Sequence, residues 1–485
     1  MSTERKTISA LKWATAAKLV VQVISWAGTL IIVRLLTPED YGLMAKASVV
    51  CTLASAVAEL GLGAAIVRWA EVPREDLRKL YGVSLLFSGA ITALVAGTAP
   101  LLARMFHEPR LTWPIVVAAL NVIVGAIAII PSSLATRELS FRYLAKVEMT
   151  TGVLTIVATL LLALHGAGVW ALIFGTLFGT LTRTTVLMIF GENVSPLFST
   201  RGIGEHLKFG LTLAGNRVCY FLVVQSDVLI GSMFLSTTEI GRYSVALQLA
   251  TLPMTKVMGT INQIALPAMA RQQEDMGRLR QNLLKSLGLM SLVAFPTLWG
   301  ISAVAPELVR VLFGGNWLQA IPALTILPLI VPIRMLASVL FTAALALGNR
   351  QLDLRNTIVN FIALPGGFFI GAHWGLVGLC LSWLISVPLV YALFMPTLIR
   401  FLGFRPRELL AEFAAPLFAA GVMYAVVTIL RPTLEAQTAA TSLGVLSLSG
   451  ALVYVGLMAL ISRRHLATAR NFARSMRGSE VPKAA

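Results

Sequence analysis

The sequence predicts an all-α polytopic membrane protein with about fourteen transmembrane helices, each needing roughly 20 apolar residues to cross the ~30 Å hydrocarbon layer. Three observations predict it. The chain of 485 residues is 57% hydrophobic and 13% charged, with a mean hydropathy of +0.82, whereas soluble domains carry about 25% charged residues. Its apolar residues gather into runs of spanning length separated by short polar breaks. Its Lys and Arg residues concentrate in alternate breaks, as they do on the cytoplasmic side of membrane proteins.

Taken in order, a polar N-terminus, 1–12, enters the first apolar run without a small-residue cleavage site, so that run reads as a retained span. Spans are expected over 13–34, 43–66, 80–102, 112–134, 148–165 and 167–190, which make a first lobe at 13–190. A linker, 191–207, leads to a second lobe, 208–398, with spans at 208–235, 242–267, 284–304, 320–347, 356–372 and 374–398. Two additional spans, 409–430 and 440–461, occupy 399–461, and 462–485 is a basic tail. Of the 39 basic residues, 27 lie in the termini and one set of alternate connections and six in the other set. Both termini are therefore expected in the cytoplasm, with an even number of spans.

The second lobe opens as a second copy of the first. Shifting Lys208 to Leu235 back by 199 positions lays Arg217 over Lys18, Leu229-Ile230 over Leu30-Ile31 and Leu235 over Leu36. The register continues, with Glu239-Ile240-Gly241 over Asp40-Tyr41-Gly42. Six spans precede Lys208, and six is even, so the two copies enter from the same side as parallel repeats.

Several function classes fall away. The net charge of +17 follows from topology, so no nucleic-acid partner is expected. Cys51, Cys219 and Cys380 each stand alone in a different apolar segment, which argues against disulfides and zinc. The five histidines are scattered and no Gly-Lys pair exists, so neither a metal, a cofactor nor an ATP-binding loop is expected. The outer connections are short, leaving no soluble domain for an enzyme.

Six basic residues fall inside spans: Lys18, Lys46, Arg183, Arg217, Lys256 and Arg334. Lys18, Lys46 and Arg183 lie near span ends and are expected to snorkel to the interface. Arg217, Lys256 and Arg334 are deep, where facing lipid costs at least ~2.5 kcal/mol each, so they should face protein or a wet cavity. Glu59 and Asp227 are the opposing acids and stand as ion-pair or coupling candidates; Arg217 or Lys256 pairing with Asp227 is one alternative. Two acids cannot neutralise six bases, so an anionic ligand is expected. Pro328 and Pro332 just before Arg334 suggest a kink that turns it toward a cavity, and Gly175-Thr-Leu-Phe-Gly179 suggests close helix packing.

Arg34-Leu-Leu-Thr-Pro-Glu-Asp-Tyr-Gly42, followed by Glu59-Leu-Gly-Leu-Gly-Ala-Ala-Ile-Val-Arg68, resembles the opening of bacterial oligosaccharide flippases. These are the polysaccharide transporters of the multidrug/oligosaccharidyl-lipid/polysaccharide exporter superfamily. Arg137-Glu-Leu-Ser-Phe-Arg142, Asp227 with Ile230-Gly231, Gly241, Tyr243 and Pro253, Phe313-Gly-Gly-Asn-Trp317 and Gly348-Asn-Arg350 extend the resemblance over about residues 10 to 400. The colanic-acid or exopolysaccharide exporter branch is the most similar.

The resemblance implies two six-helix lobes around a central cavity, with two further helices. It implies transfer of an undecaprenyl-diphosphate-linked oligosaccharide from the cytoplasmic to the periplasmic leaflet of the bacterial inner membrane by alternating access. Lys18, Arg217, Lys256 and Arg334 are the diphosphate-binding candidates by depth and charge. Lipid-linked oligosaccharide, membrane lipids, a polysaccharide polymerase and chain-length machinery are the partners it implies. Two other readings stay open: a cation-coupled exporter of drugs or metabolites using Glu59 and Asp227, and a membrane polymerase or sugar transferase.

Overall fold

The computed structural model describes residues 25–68, 73–192, 194–271, 276–434 and 436–462. Lys18 lies outside the described residues, and so does the side chain of Lys256. Among the described residues the chain is helical and has no strand. Contacts divide it into two units, Met1–Gly241 and Arg242–Ala485.

The first unit contains α1 (Ser25–Leu35), α2 (Pro38–Ala58), α3 (Leu62–Arg68), α4 (Arg74–Met105), α5 (Thr112–Ile127) and α6 (Ile129–Arg137). It continues with α7 (Phe141–Leu164), α8 (Val169–Phe190), α9 (Gly204–Val224) and α10 (Ser226–Phe234). Helix α11 (Thr237–Arg271) begins at its end. The second unit adds α12 (Met276–Ala303), α13 (Ala305–Leu308), α14 (Ile321–Ala346), α15 (Arg350–Ala372), α16 (Gly375–Phe401), α17 (Pro406–Leu430) and α18 (Ala439–Ile461).

Among the described residues, eleven helices are long and apolar enough to cross a bilayer. Their outer faces carry large apolar side chains with no protein cover, such as Leu101 at 66% exposure and Leu460 at 78%, as lipid contact requires. This is a multi-pass membrane protein. Three expected spans, helical over their described residues, do not join the eleven. The described part of α1 is short, and α11 and α15 are continuous helices whose apolar sequence is diluted by polar and charged residues, among them Gln248 in α11 and Arg355, Asn356 and Asn360 in α15.

Three expected spans of the first unit are broken. The run at 43–66 becomes α2 and α3, separated at Glu59, Leu60 and Gly61, where φ is +48° at Leu60 and +61° at Gly61. The run at 112–134 breaks at Ala128 and that at 208–235 breaks at Gln225. Hydropathy reports side-chain transfer, not dihedral angles, so an apolar run hides such breaks. In contrast, Pro296, Pro328, Pro332, Pro365 and Pro388 lie inside unbroken helices.

The 199-residue offset reappears as local geometry. At the start of α2, Thr37 and Asp40 form a capping box: the Asp40 carboxylate accepts from the Thr37 N–H at 2.9 Å, and Thr37 Oγ1 accepts from the Asp40 N–H at 3.2 Å. At the start of α11, Ser236 and Glu239 form the same box at 3.0 and 3.3 Å, ending two otherwise unsatisfied N–H groups each time. The contact between these helix starts is reciprocal. A Cβ on Gly42 would overlap the carbonyl of Thr237, and a Cβ on Gly241 would overlap that of Pro38. Thr237 is Pro38 shifted by 199, and Gly241 is Gly42 likewise shifted.

Gly175 and Gly179 of α8 pack directly on Thr159 and Thr155 of α7, where a methyl group would overlap either hydroxyl. The close-packing expectation therefore holds for this motif. In the second unit, Leu287, Phe295, Leu340, Val390, Phe394 and Met423 join α12, α14, α16 and α17 in one apolar core.

Candidate functional site

Charge inside the first unit collects at the break in the second expected span. Glu59 caps α2 there, and Arg217 of α9 forms an ion pair with its carboxylate. The break also fixes α9: Gly210 sits on the carbonyl of Leu60, and Arg217 follows seven residues later on the same helix face. The alternative pairing of Arg217 with Asp227 is not the one formed. Ten residues separate them, about 15 Å of helix and a turn of roughly 280°, and the break at Gln225 intervenes. Asp227 instead is fully buried at the start of α10, where its Oδ1 accepts from the Val228 N–H at 2.7 Å. A carboxylate there complements the helix dipole.

Behind Glu59 lies a cavity of about 200 Å³ lined by Ser55, Ser88, Asn121, Ser132 and Arg183. Arg183, expected to snorkel outward, thus faces a polar interior. Asn121 is oriented by Thr180, whose hydroxyl donates to its Oδ1 at 2.7 Å. Glu59, paired with Arg217, thus shares this cavity lining with a second basic residue, Arg183.

Lys46, also expected to snorkel, is 1% exposed. Its Nζ donates to the carbonyl of Phe106 and to Thr237 Oγ1, each at 3.2 Å. Thr237 Oγ1 donates in turn to Glu108 at 2.8 Å, and Glu108 accepts from Arg110 Nε at 2.9 Å. The bonds from Arg110 and Thr237, with the nearby charges, hold the Glu108 carboxyl below the usual carboxylate range. Proximity to a span end does not ensure escape when a buried acceptor set lies closer.

In the second unit, Arg334 of α14 is half-buried, and its guanidinium carbon stands 4.1 Å from the ring centroid of Trp383 on α16. No carboxylate lies within ion-pair distance of Arg334 among the described residues. Nothing in the sequence pattern marks Trp383, or its partner Tyr243, as a neighbour of Arg334. An aromatic inside an apolar span has no compositional contrast, although Tyr243 already stood in a quoted motif.

Two other hollows differ in character. A cleft of about 920 Å³ lies at the loop end of the first unit, with Arg74, Arg78 and Arg137 balanced by Glu75, Glu138 and Glu192. An almost wholly apolar groove of about 630 Å³ runs between α15 and α16. Neither contains an intramembrane cation.

The fold and its intramembrane charges define a class: a multi-pass membrane protein whose apolar helices carry basic side chains engaged by a carboxylate, by backbone and hydroxyl acceptors, or by an aromatic face. A family model described as "Polysaccharide biosynthesis protein" matches residues 31–322, and the chain belongs to this family. It is 25% identical over 390 residues to an uncharacterized membrane protein in the cps region of Klebsiella pneumoniae, covering 79% of this chain and 80% of that protein. It is 24% identical to the lipopolysaccharide biosynthesis protein WzxC of Escherichia coli K12, covering 79% of each. It is also 24% identical to the succinoglycan biosynthesis transport protein ExoT of Rhizobium meliloti, covering 77% of this chain and 81% of that one. Among solved structures, the inward closed conformation of the lipid II flippase MurJ shares the fold, with a TM-score of 0.75 at 14% identity, covering 94% of this chain and 99% of that one.

Proposed function

We propose that this protein flips undecaprenyl-diphosphate-linked oligosaccharides from the cytoplasmic to the periplasmic leaflet of a bacterial inner membrane. The observation that carries this reading is Arg334, an intramembrane guanidinium with no carboxylate in ion-pair distance among the described residues. Such a charge is costly in a span unless a ligand compensates it, and a diphosphate suits the planar donor fork of arginine. The relatives named for lipopolysaccharide and succinoglycan biosynthesis support a polysaccharide precursor as cargo. The fold shared with a lipid II flippase supports a lipid-linked one.

In this reading both termini are cytoplasmic, fourteen helices span, and two parallel lobes alternate access to a cavity between them. Arg217 is a second diphosphate ligand and Glu59 its resting counter-ion. Lys18 and Lys256 add positive charge along the path. Glu59 also serves as the coupling carboxylate, because the polar cavity behind it gives a proton hydroxyl and amide partners. The lipid tail stays in the bilayer while the head group crosses.

The test is transfer of a labelled undecaprenyl-diphosphate oligosaccharide across liposomes containing the purified protein, with undecaprenyl phosphate and a cationic dye as controls. Selective transfer of the diphosphate-linked sugar is the expected outcome. Dye transport without lipid transfer would replace this reading with that of a cation-coupled exporter.

A further inference from the structure

We infer that Trp383 and Tyr243 are positioning residues that hold the Arg334 guanidinium in place by its face and leave its N–H donors open to a bidentate phosphoryl ligand. This inference rests on the proposed role of Arg334 as a diphosphate ligand.

The geometry is a chain of three side chains from three helices of the second unit. The Arg334 cation lies over the Trp383 ring, 4.1 Å from its centroid, well within the range of cation–π attraction, for which indole is the best partner. Trp383 is only 3% exposed and cannot follow a mobile arginine. Its indole N–H donates to the Tyr243 hydroxyl at 2.7 Å, and Phe368 stands against its ring at a centroid distance of 4.9 Å. Tyr243 is itself fully buried.

The chemistry of this arrangement differs from that of an ion pair. A carboxylate would hold Arg334 equally well, but it would neutralise the charge and occupy the donors that a phosphoryl group needs. An aromatic face uses neither. None of the five N–H donors of Arg334 meets a protein acceptor among the described residues. Arg217 shows the opposite arrangement, with its guanidinium engaged by Glu59. The second unit therefore presents a standing receptor for a phosphate or diphosphate, and the first presents one that must be released. Arginine carries much rotamer freedom, and fixing it beforehand lowers the cost of binding.

The experiment measures the rate of lipid transfer against substrate concentration for full-length protein in liposomes, using a fluorescent undecaprenyl-diphosphate oligosaccharide. Trp383→Leu is expected to raise the half-saturating concentration about tenfold and Trp383→Phe about threefold, following the order of ring strengths. Tyr243→Phe, which removes the acceptor and keeps the ring, is expected to fall between wild type and Trp383→Leu. The decisive variant is Arg334→Gln combined with Trp383→Leu, compared with each single variant by equilibrium binding of the fluorescent lipid to purified full-length protein, which reads affinity even where transfer is lost. If Trp383 acts through Arg334, the double variant is no worse than Arg334→Gln alone; independent, additive losses would overturn the inference.

Should Trp383→Leu not be recovered folded, Trp383→Phe decides, and an unchanged half-saturating concentration overturns the positioning role. If Arg334→Gln itself transfers lipid at the wild-type rate and affinity, the failure belongs instead to the proposed role of Arg334 and removes the inference with it.

Discussion

Replacing Lys46 with methionine tests whether the buried network of the first unit stabilises it or merely fills space. Methionine keeps the length and the apolar stem of lysine, so packing in the surrounding core changes little. Two hydrogen bonds from the ammonium, to the Phe106 carbonyl and to Thr237 Oγ1, are lost. A bond from a charged donor contributes about 1.5 kcal/mol or more, and a buried carbonyl left without its donor costs a further ~1 kcal/mol. Against this, the ammonium no longer has to be dehydrated, which offsets part of the loss. Glu108 keeps its bonds from Arg110 and Thr237, so it does not become an isolated charge. The net destabilisation is then about 2 kcal/mol, on the order of a 5 °C fall in apparent melting temperature for a unit of this size. The assay is thermal aggregation of purified protein in detergent at neutral pH and fixed protein concentration. A melting temperature equal to or above that of the wild type would refute the reasoning, because the network would then contribute no net stability.

Other outcomes follow from the same geometry. Because Glu108 is held below the usual carboxylate range, its contribution is complete above the unfolded-state pKa and lost as pH falls through the depressed folded value. Wild-type protein should therefore lose more melting temperature between neutral and acid pH than Glu108→Gln, and parallel acid profiles would contradict this. Arg217→Ala and Arg334→Ala should each abolish polymer export in cells while the protein remains inserted at normal abundance; normal export from both would end the anionic-cargo argument. Gly241→Ala meets the Pro38 carbonyl, a backbone atom that cannot rotate away, and should reduce the yield of monodisperse protein in size-exclusion chromatography. Gly175→Ala should be milder, about 1 to 3 kcal/mol of overpacking, and Thr159→Ala in the same chain should restore most of it.

What the sequence determined by itself was the environment of each segment. Transfer of apolar side chains into hydrocarbon is local and nearly additive, so Leu-, Val- and Ile-rich runs declare themselves without any knowledge of neighbours. Alternating Lys and Arg density gives an expectation of topology on separate grounds, the bias of basic loops toward the cytoplasm. The repeat was legible because Asp40 and Gly42 have counterparts in Glu239 and Gly241. The capping boxes and the reciprocal glycine contact give those identities their physical reason.

Tertiary structure decided which charges meet. Arg217 could have paired with Asp227 or Glu59 on charge alone; the breaks at Gln225 and at Leu60-Gly61 selected Glu59 by setting direction and depth. Lys46 and Arg183 read as interface residues from their distance to a span end, yet Phe106, Thr237 and the cavity around Asn121 hold them inside. Arg334 was legible as a deep cation, but the indole beneath it comes from a helix 49 residues away in sequence. An ion pair or a cation–π contact depends on angstrom-scale separation between helices, and separation between helices is a property of packing that no single segment carries.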